Sequence, residues 1–95
     1  MKVVLRRAAK LDLLEARNWY EERQPGLGDA FLDEVEAVLQ SLPEYPEMHP
    51  RVERRVRRAV LNRFPYGLFY EINGETIGVL AVLHGARSPE HWRRR

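Results

Sequence analysis

Residues 68–84 read LFYEINGETIGVLAVLH. Leu68–Ile72 has the aromatic and branched composition of a β-strand. Asn73-Gly74 is a strong type I′ hairpin signal. Thr76–His84 is apolar on both faces, with Ile77, Val79, Ala81 and Leu83 on one side and Leu80 and Val82 on the other. A strand that is apolar all round belongs at the centre of a sheet with both faces covered. The remaining chain must therefore supply flanking strands and a covering layer.

Upstream of this hairpin, Phe64-Pro65-Tyr66-Gly67 reads as a turn. Residues 51–63, RVERRVRRAVLNR, fit two patterns. Val52, Val56 and Val60 suit one helical face, and they also suit alternate positions of a strand. Valine content and the hairpin that follows favour a single strand. On that strand Arg54 and Arg58 would point one way, and Arg55, Arg57 and Arg63 the other. Residues 43–50, PEYPEMHP, carry three prolines and read as a stiff extended connector.

Two helices precede it. Asp12 is a good N-cap, and Glu15 three residues on completes a capping box. Leu13, Ala16 and Tyr20 then share a face that Trp19 widens, up to about Arg23. The breakers of Gln24-Pro25-Gly26-Leu27-Gly28 stop this helix. Asp29 is expected to cap a second helix, whose apolar stripe is Phe31, Val35, Val38, Leu39 and Leu42. Pro43 ends it. Residues 2–7, KVVLRR, read as a first strand.

The expected order is thus β-α-α-β-β-β, an α+β fold with a two-helix hairpin on one face of a mostly antiparallel sheet. The other face carries many of the arginines and must be solvated or cover a partner. The 95 residues allow one domain, residues 1–95.

Composition excludes several classes. The chain has no cysteine, so disulfide scaffolds and thiolate metal sites are out. The spacing of its three histidines matches no zinc pattern, and neither metal nor cofactor is expected. No apolar run approaches the ~18 residues of a membrane span, and the N-terminus is too short in apolar residues for a signal peptide. A cytoplasmic protein with no membrane partner follows by default.

Charge is distributed unevenly. Residues 1–48 hold six basic and ten acidic side chains, and residues 49–95 hold ten basic and four acidic. Arginine outnumbers lysine fourteen to two. Arginine grips phosphate or carboxylate with a planar fork, although a GC-rich genome would raise the same ratio. Arg54, Arg55 and Arg57 are candidates for nucleic-acid or target binding; a charge-guarded edge strand is the alternative. Arg87, just past the last strand, is placed to clamp a phosphate, or to pair with Glu90. His84 closes a buried strand and reads as structural. His91 is a candidate acid or base, and Trp92 a candidate stacking platform.

Taken together, Asp12-Leu13, Ala16 and Trp19-Tyr20, then Pro25-Gly26-Leu27-Gly28 and Phe31, resemble a known pattern. Arg58-Ala59, Leu61, Arg63-Phe64-Pro65-Tyr66, Tyr70 and Ile72 continue it, followed by Val79, Ala81-Val82-Leu83-His84, Arg87, Pro89 and Trp92. The pattern is similar to that of the RelE/ParE toxin superfamily and is closer to its ParE-named branch. The resemblance implies a growth-inhibiting toxin of a type II toxin–antitoxin pair, with a cognate antitoxin as partner and oligomers formed through that complex. RelE-like members cleave mRNA on the ribosome without a metal; ParE-like members block DNA gyrase without cutting nucleic acid. For the nuclease mode, the resemblance nominates Arg58, Arg63, Arg87 and His91 as catalytic. The RNA-cleaving members often carry lysines in this region, and this chain has none after Lys10. A clean general base is missing, which favours gyrase poisoning; ribosome-dependent cleavage or an inactive antitoxin-binding relative are the alternatives.

Overall fold

A computed structural model describes residues 1–85. Its elements are β1 (Lys2–Leu5), α1 (Arg7–Arg23), α2 (Leu27–Ser41), β2 (Arg51–Glu53), β3 (Val56–Val60), β4 (Tyr66–Asn73) and β5 (Thr76–His84). The strands form one sheet in the order β1-β5-β4-β3-β2. Only the β1–β5 pairing is parallel, matching Lys2 with Thr76 and Leu5 with Val79. The α+β architecture expected from the sequence is therefore present.

The apolar β5 lies inside the sheet, between β4 and β1, although the strand at the centre is β4 rather than β5. Its register with β4 slips at one point: Phe69 faces Ala81 and Tyr70 faces Val79, so Leu80 is the extra residue of a β-bulge. The bulge turns both Leu80 and Ala81 to the face opposite the helices. There they form a buried cluster with Val56, Phe69 and Leu83. The larger core lies on the helix side, built from Ala9, Ala16, Tyr20, Phe31, Val35 and Leu42 against Leu68, Tyr70, Ile77, Val79 and Val82. Tyr20, Phe31, Phe64 and Tyr66 meet there mostly edge to face, with centroids 4.8–6.0 Å apart.

Several local expectations are corrected. The helix does not begin at Asp12. A single residue, Arg6, links β1 to α1, and the helix starts at once on Arg7-Ala8-Ala9. Asp12 lies in its second turn, where its carboxylate accepts the Val82 N–H at 3.0 Å. β1 pairs only as far as Val79, so Asp12 occupies the place of the strand partner that Val82 lacks. The second helix begins at Leu27, with Gly26 at the N-cap at φ 90°, and Asp29 falls inside its first turn. A side chain would be strained at that φ, so glycine suits the position. Trp19 does not join the buried face. It is 49% exposed, and the Arg23 guanidinium lies 3.5 Å above its ring.

Residues 51–63 form two strands rather than one. Arg54, at φ 51°, turns the chain between β2 and β3, so the described residues hold five strands. The later hairpin is also closed differently. Asn73 pairs with Thr76, leaving Gly74-Glu75 as the loop, and only Gly74 has positive φ. One positive φ, at the first central position, is the type II′ pattern rather than I′. Residues 43–50 are not extended; they fold back in turns in which Glu44 and Tyr45 N–H groups donate to the Ser41 carbonyl and Met48 N–H to that of Tyr45.

Candidate functional site

The arginines of the second half were expected on two faces of one strand, and the turn at Arg54 redistributes them. Arg54 and Arg55 leave the ladder at this corner. Arg54 is exposed. The Arg55 guanidinium reaches β4, donating to the Ile72 carbonyl at 2.7 Å and to Asn73 Oδ1 at 2.6 Å. Arg57 faces the helix side and pairs with Tyr70 in the ladder. Its guanidinium donates to the carbonyls of Glu47 and His49 at 3.1 and 2.7 Å. The Tyr70 hydroxyl donates to the Pro46 carbonyl at 2.7 Å. Arg57 and Tyr70 together tie the 43–50 segment to the sheet.

Arg58 projects from the opposite face beside Phe69. Its methylenes cross Gly67, where an added Cβ would lie 3.0 Å from Arg58 Cδ. Glycine there leaves a flat floor that holds the arginine stem while its charge stays exposed. Arg63 lies past the end of β3. Its N–H donates to the Glu34 carboxylate at 3.1 Å, and the Asn62 N–H donates to the other oxygen of the same carboxylate, so α2 anchors this loop. Its guanidinium carbon is 5.6 Å from the Phe64 ring, on the helix side. Arg58 and Arg63 therefore serve different faces, and Arg57 is committed to main-chain carbonyls.

Arg87, His91 and Trp92 lie outside the described residues. The last described step is the Gly85 N–H, which donates to the Pro65 carbonyl at 2.7 Å and lashes the end of β5 to the Phe64–Tyr66 turn. His84 is exposed, with its ring edge-on to Tyr66 at 5.5 Å. Among the described residues no group of three or more His, Cys, Asp or Glu side chains is placed to hold a metal. No helix among them is long and apolar enough to cross a membrane.

Some features of the surface were not foreseen. Arg6 lies over Gly78 on the face opposite the helices and pairs with Glu71 at 2.9 Å. Glu21 accepts the Gly26 and Gly28 N–H groups, both at 3.0 Å, and these bonds hold its carboxyl below the usual carboxylate range. His49 sits edge-on to Tyr70 with its Nε2 buried and unpartnered, and burial lowers its basicity. The only hint in the sequence was Gly28 seven residues after Glu21, which permits two helices to touch.

Among the described residues, a five-stranded sheet with one parallel edge pairing is covered on one side by a helical hairpin, a two-layer α+β fold. A solved structure titled "Chromosomal ParDE TA system from P. aeruginosa" has this fold: TM-score 0.79, covering 88% of this chain and 95% of that one, at 19% identity. The family described as "ParE toxin of type II toxin-antitoxin system, parDE" matches residues 3–89. The protein named Toxin ParE2 in Mycobacterium tuberculosis, strains CDC 1551 / Oshkosh and ATCC 25618 / H37Rv, is 32% identical over 79 residues, 82% of this chain and 75% of that protein. The chain belongs to the ParE toxin family of type II toxin–antitoxin systems.

Proposed function

We propose that this toxin arrests growth by docking on DNA gyrase in the cytoplasm, without cutting nucleic acid, and that a cognate antitoxin neutralises it by covering the toxin in a complex. One observation carries the reading: the described arginines do not converge. A nuclease needs several cations around a single phosphate, because stabilising the charge of the transition state is the main catalytic task. Arg57 spends its donors on Glu47 and His49, Arg55 on Ile72 and Asn73, and Arg58 and Arg63 face different ways. Such dispersal suits a docking surface, where exposed charges steer encounter and set specificity. The antitoxin partner is supported by the family and by the two-component system of the structural neighbour.

Arg54 and Arg58, exposed on the corner and on the sheet face, are the target contacts in this reading. Arg55 and Arg57 shape the surface through their main-chain bonds. Arg87, His91 and Trp92 are further candidates for contact with the target; as an mRNA endoribonuclease the chain would instead use Arg58, Arg63, Arg87 and His91 in catalysis. The test is made in induced cells, by mapping mRNA 5′ ends and assaying plasmid supercoiling together with gyrase-linked DNA breaks. Intact mRNA with accumulated gyrase–DNA complexes is the expected result. Codon-positioned cuts that vanish in Arg87→Ala would overturn it in favour of the nuclease.

A further inference from the structure

The outer face of α1 carries two leucines that nothing in the described structure covers. Leu11 and Leu14 are 55% and 57% exposed. They fall on a two-heptad pattern, with Leu11 and Asn18 at a positions and Arg7 and Leu14 at d positions. Lys10 occupies the preceding g position and Glu15 the following e position. All six side chains are exposed, and none of the ion pairs among the described residues uses Lys10 or Glu15.

We propose that this stripe is a self-docking seam, on which a second copy of the chain packs its own α1 in parallel. The charges choose the occupant and its direction. In a parallel pair related by a twofold axis, each g position faces the e position five residues on in the partner. Lys10 then meets the partner's Glu15, and the partner's Lys10 meets Glu15. In an antiparallel pair with Leu11 against the partner's Leu14, g positions flank one another, and Lys10 would lie beside the partner's Arg17, a like charge. Asn18 adds to the argument, because an asparagine at an a position favours parallel two-stranded packing. Arg17 and Glu22 repeat the g-to-e spacing, although Arg17 already lies 3.6 Å from Asp29.

The helix is held by its packing on β5 and α2, so docking does not have to order it. The seam is short: α1 has 17 residues, or about 26 Å of helix at ~1.5 Å per residue. It therefore makes a small interface of the weak, concentration-dependent kind. This inference concerns the free toxin and does not depend on the gyrase reading.

Sedimentation of the full chain tests it, from about 10 µM to about 1 mM, the range where weak complexes populate. The expected result is a monomer that becomes a dimer as concentration rises. Leu14→Asp should remove the dimer. Lys10→Glu should weaken it about tenfold, because two attractive pairs become repulsive, and Lys10→Glu with Glu15→Lys should restore it. The chain has no cysteine, so oxidised Leu14→Cys reports the register directly. A Leu14–Leu14 crosslink is expected for parallel packing. A chain that stays monomeric at every concentration overturns the proposal, as does a crosslink formed only between Leu11→Cys and Leu14→Cys chains. Loss of antitoxin binding in Leu14→Asp, with the parent always monomeric, would assign the seam to the antitoxin instead and likewise overturn it.

Discussion

Gly28→Ala should destabilise the helical hairpin, although alanine is normally the better helix residue. Gly28 sits in the first turn of α2, where the two helices come closest. A Cβ built there would lie 2.7 Å from the Arg17 carbonyl oxygen and 2.9 Å from Glu21 Oε1. The carboxylate can swing away, but the carbonyl belongs to the middle of α1 and moves only if the helix moves. Overpacking of this kind costs about 1–3 kcal/mol, and the gain from replacing glycine in a helix offsets about 0.5–1 kcal/mol. A net loss of about 1–2 kcal/mol remains. For a domain of this size that lowers Tm by roughly 5–15 °C. Urea titration followed by circular dichroism gives the free energy, and a thermal scan gives the Tm. An alanine variant as stable as the parent would refute the close contact and, with it, the placement of α2 against α1.

Three other tests concern Asp12, His49 and the arginine pair of β3. Asp12→Ala leaves the half-buried Val82 N–H without an acceptor and should lose about 1–3 kcal/mol in denaturant titration, while Asp12→Asn, which keeps an acceptor, should lose less. His49 has its basicity lowered by burial, so the folded state takes up a proton less readily than the unfolded chain. Its contribution is therefore present at neutral pH and lost as pH falls through the ordinary value of 6.5, with stability rising with pH across that window. His49→Phe should flatten the slope of unfolding free energy between about pH 5 and 7; an unchanged slope would show that another group sets it. Arg57 and Arg58 should separate structure from binding: Arg57→Ala should lower Tm and expose 43–50 to protease, whereas Arg58→Ala should keep the parent Tm and weaken growth arrest.

Much of the architecture was legible because the apolar pattern is strong where the sheet is deepest. TIGVLAVLH has no polar face, and it became an interior strand, flanked on both sides as β3 and β4 also are. The Phe31-to-Leu42 stripe likewise named the buried side of α2 correctly. The misreadings arose where a side chain answers to a distant partner rather than to its neighbours in sequence. Asp12 has the chemistry of a cap, but a one-residue link from β1 starts the helix earlier and leaves that carboxylate to meet an amide seventy residues away. Arg54 looks like a strand residue, and nothing in its composition announces a left-handed turn; without that turn the arginine faces cannot be assigned. The bulge at Leu80 is equally silent, because every residue near it is apolar. Trp19 is a different case: it looked like core, yet its ring found the guanidinium of Arg23, one turn on along the surface of the same helix. The candidate site was legible only as residue types, since its geometry depends on these same long-range bonds.

The parallel pairing of the first strand with the last has a consequence for synthesis. Lys2–Leu5 leaves the ribosome well before its partner Thr76–Val79 has been made. Until then β1 has no neighbour, α1 has no sheet to lie on, and Asp12 has no amide to hold. Contacts of such long sequence separation form late and slowly. The nascent domain thus stays unfinished until β5 has been made, and becomes a competent fold only then.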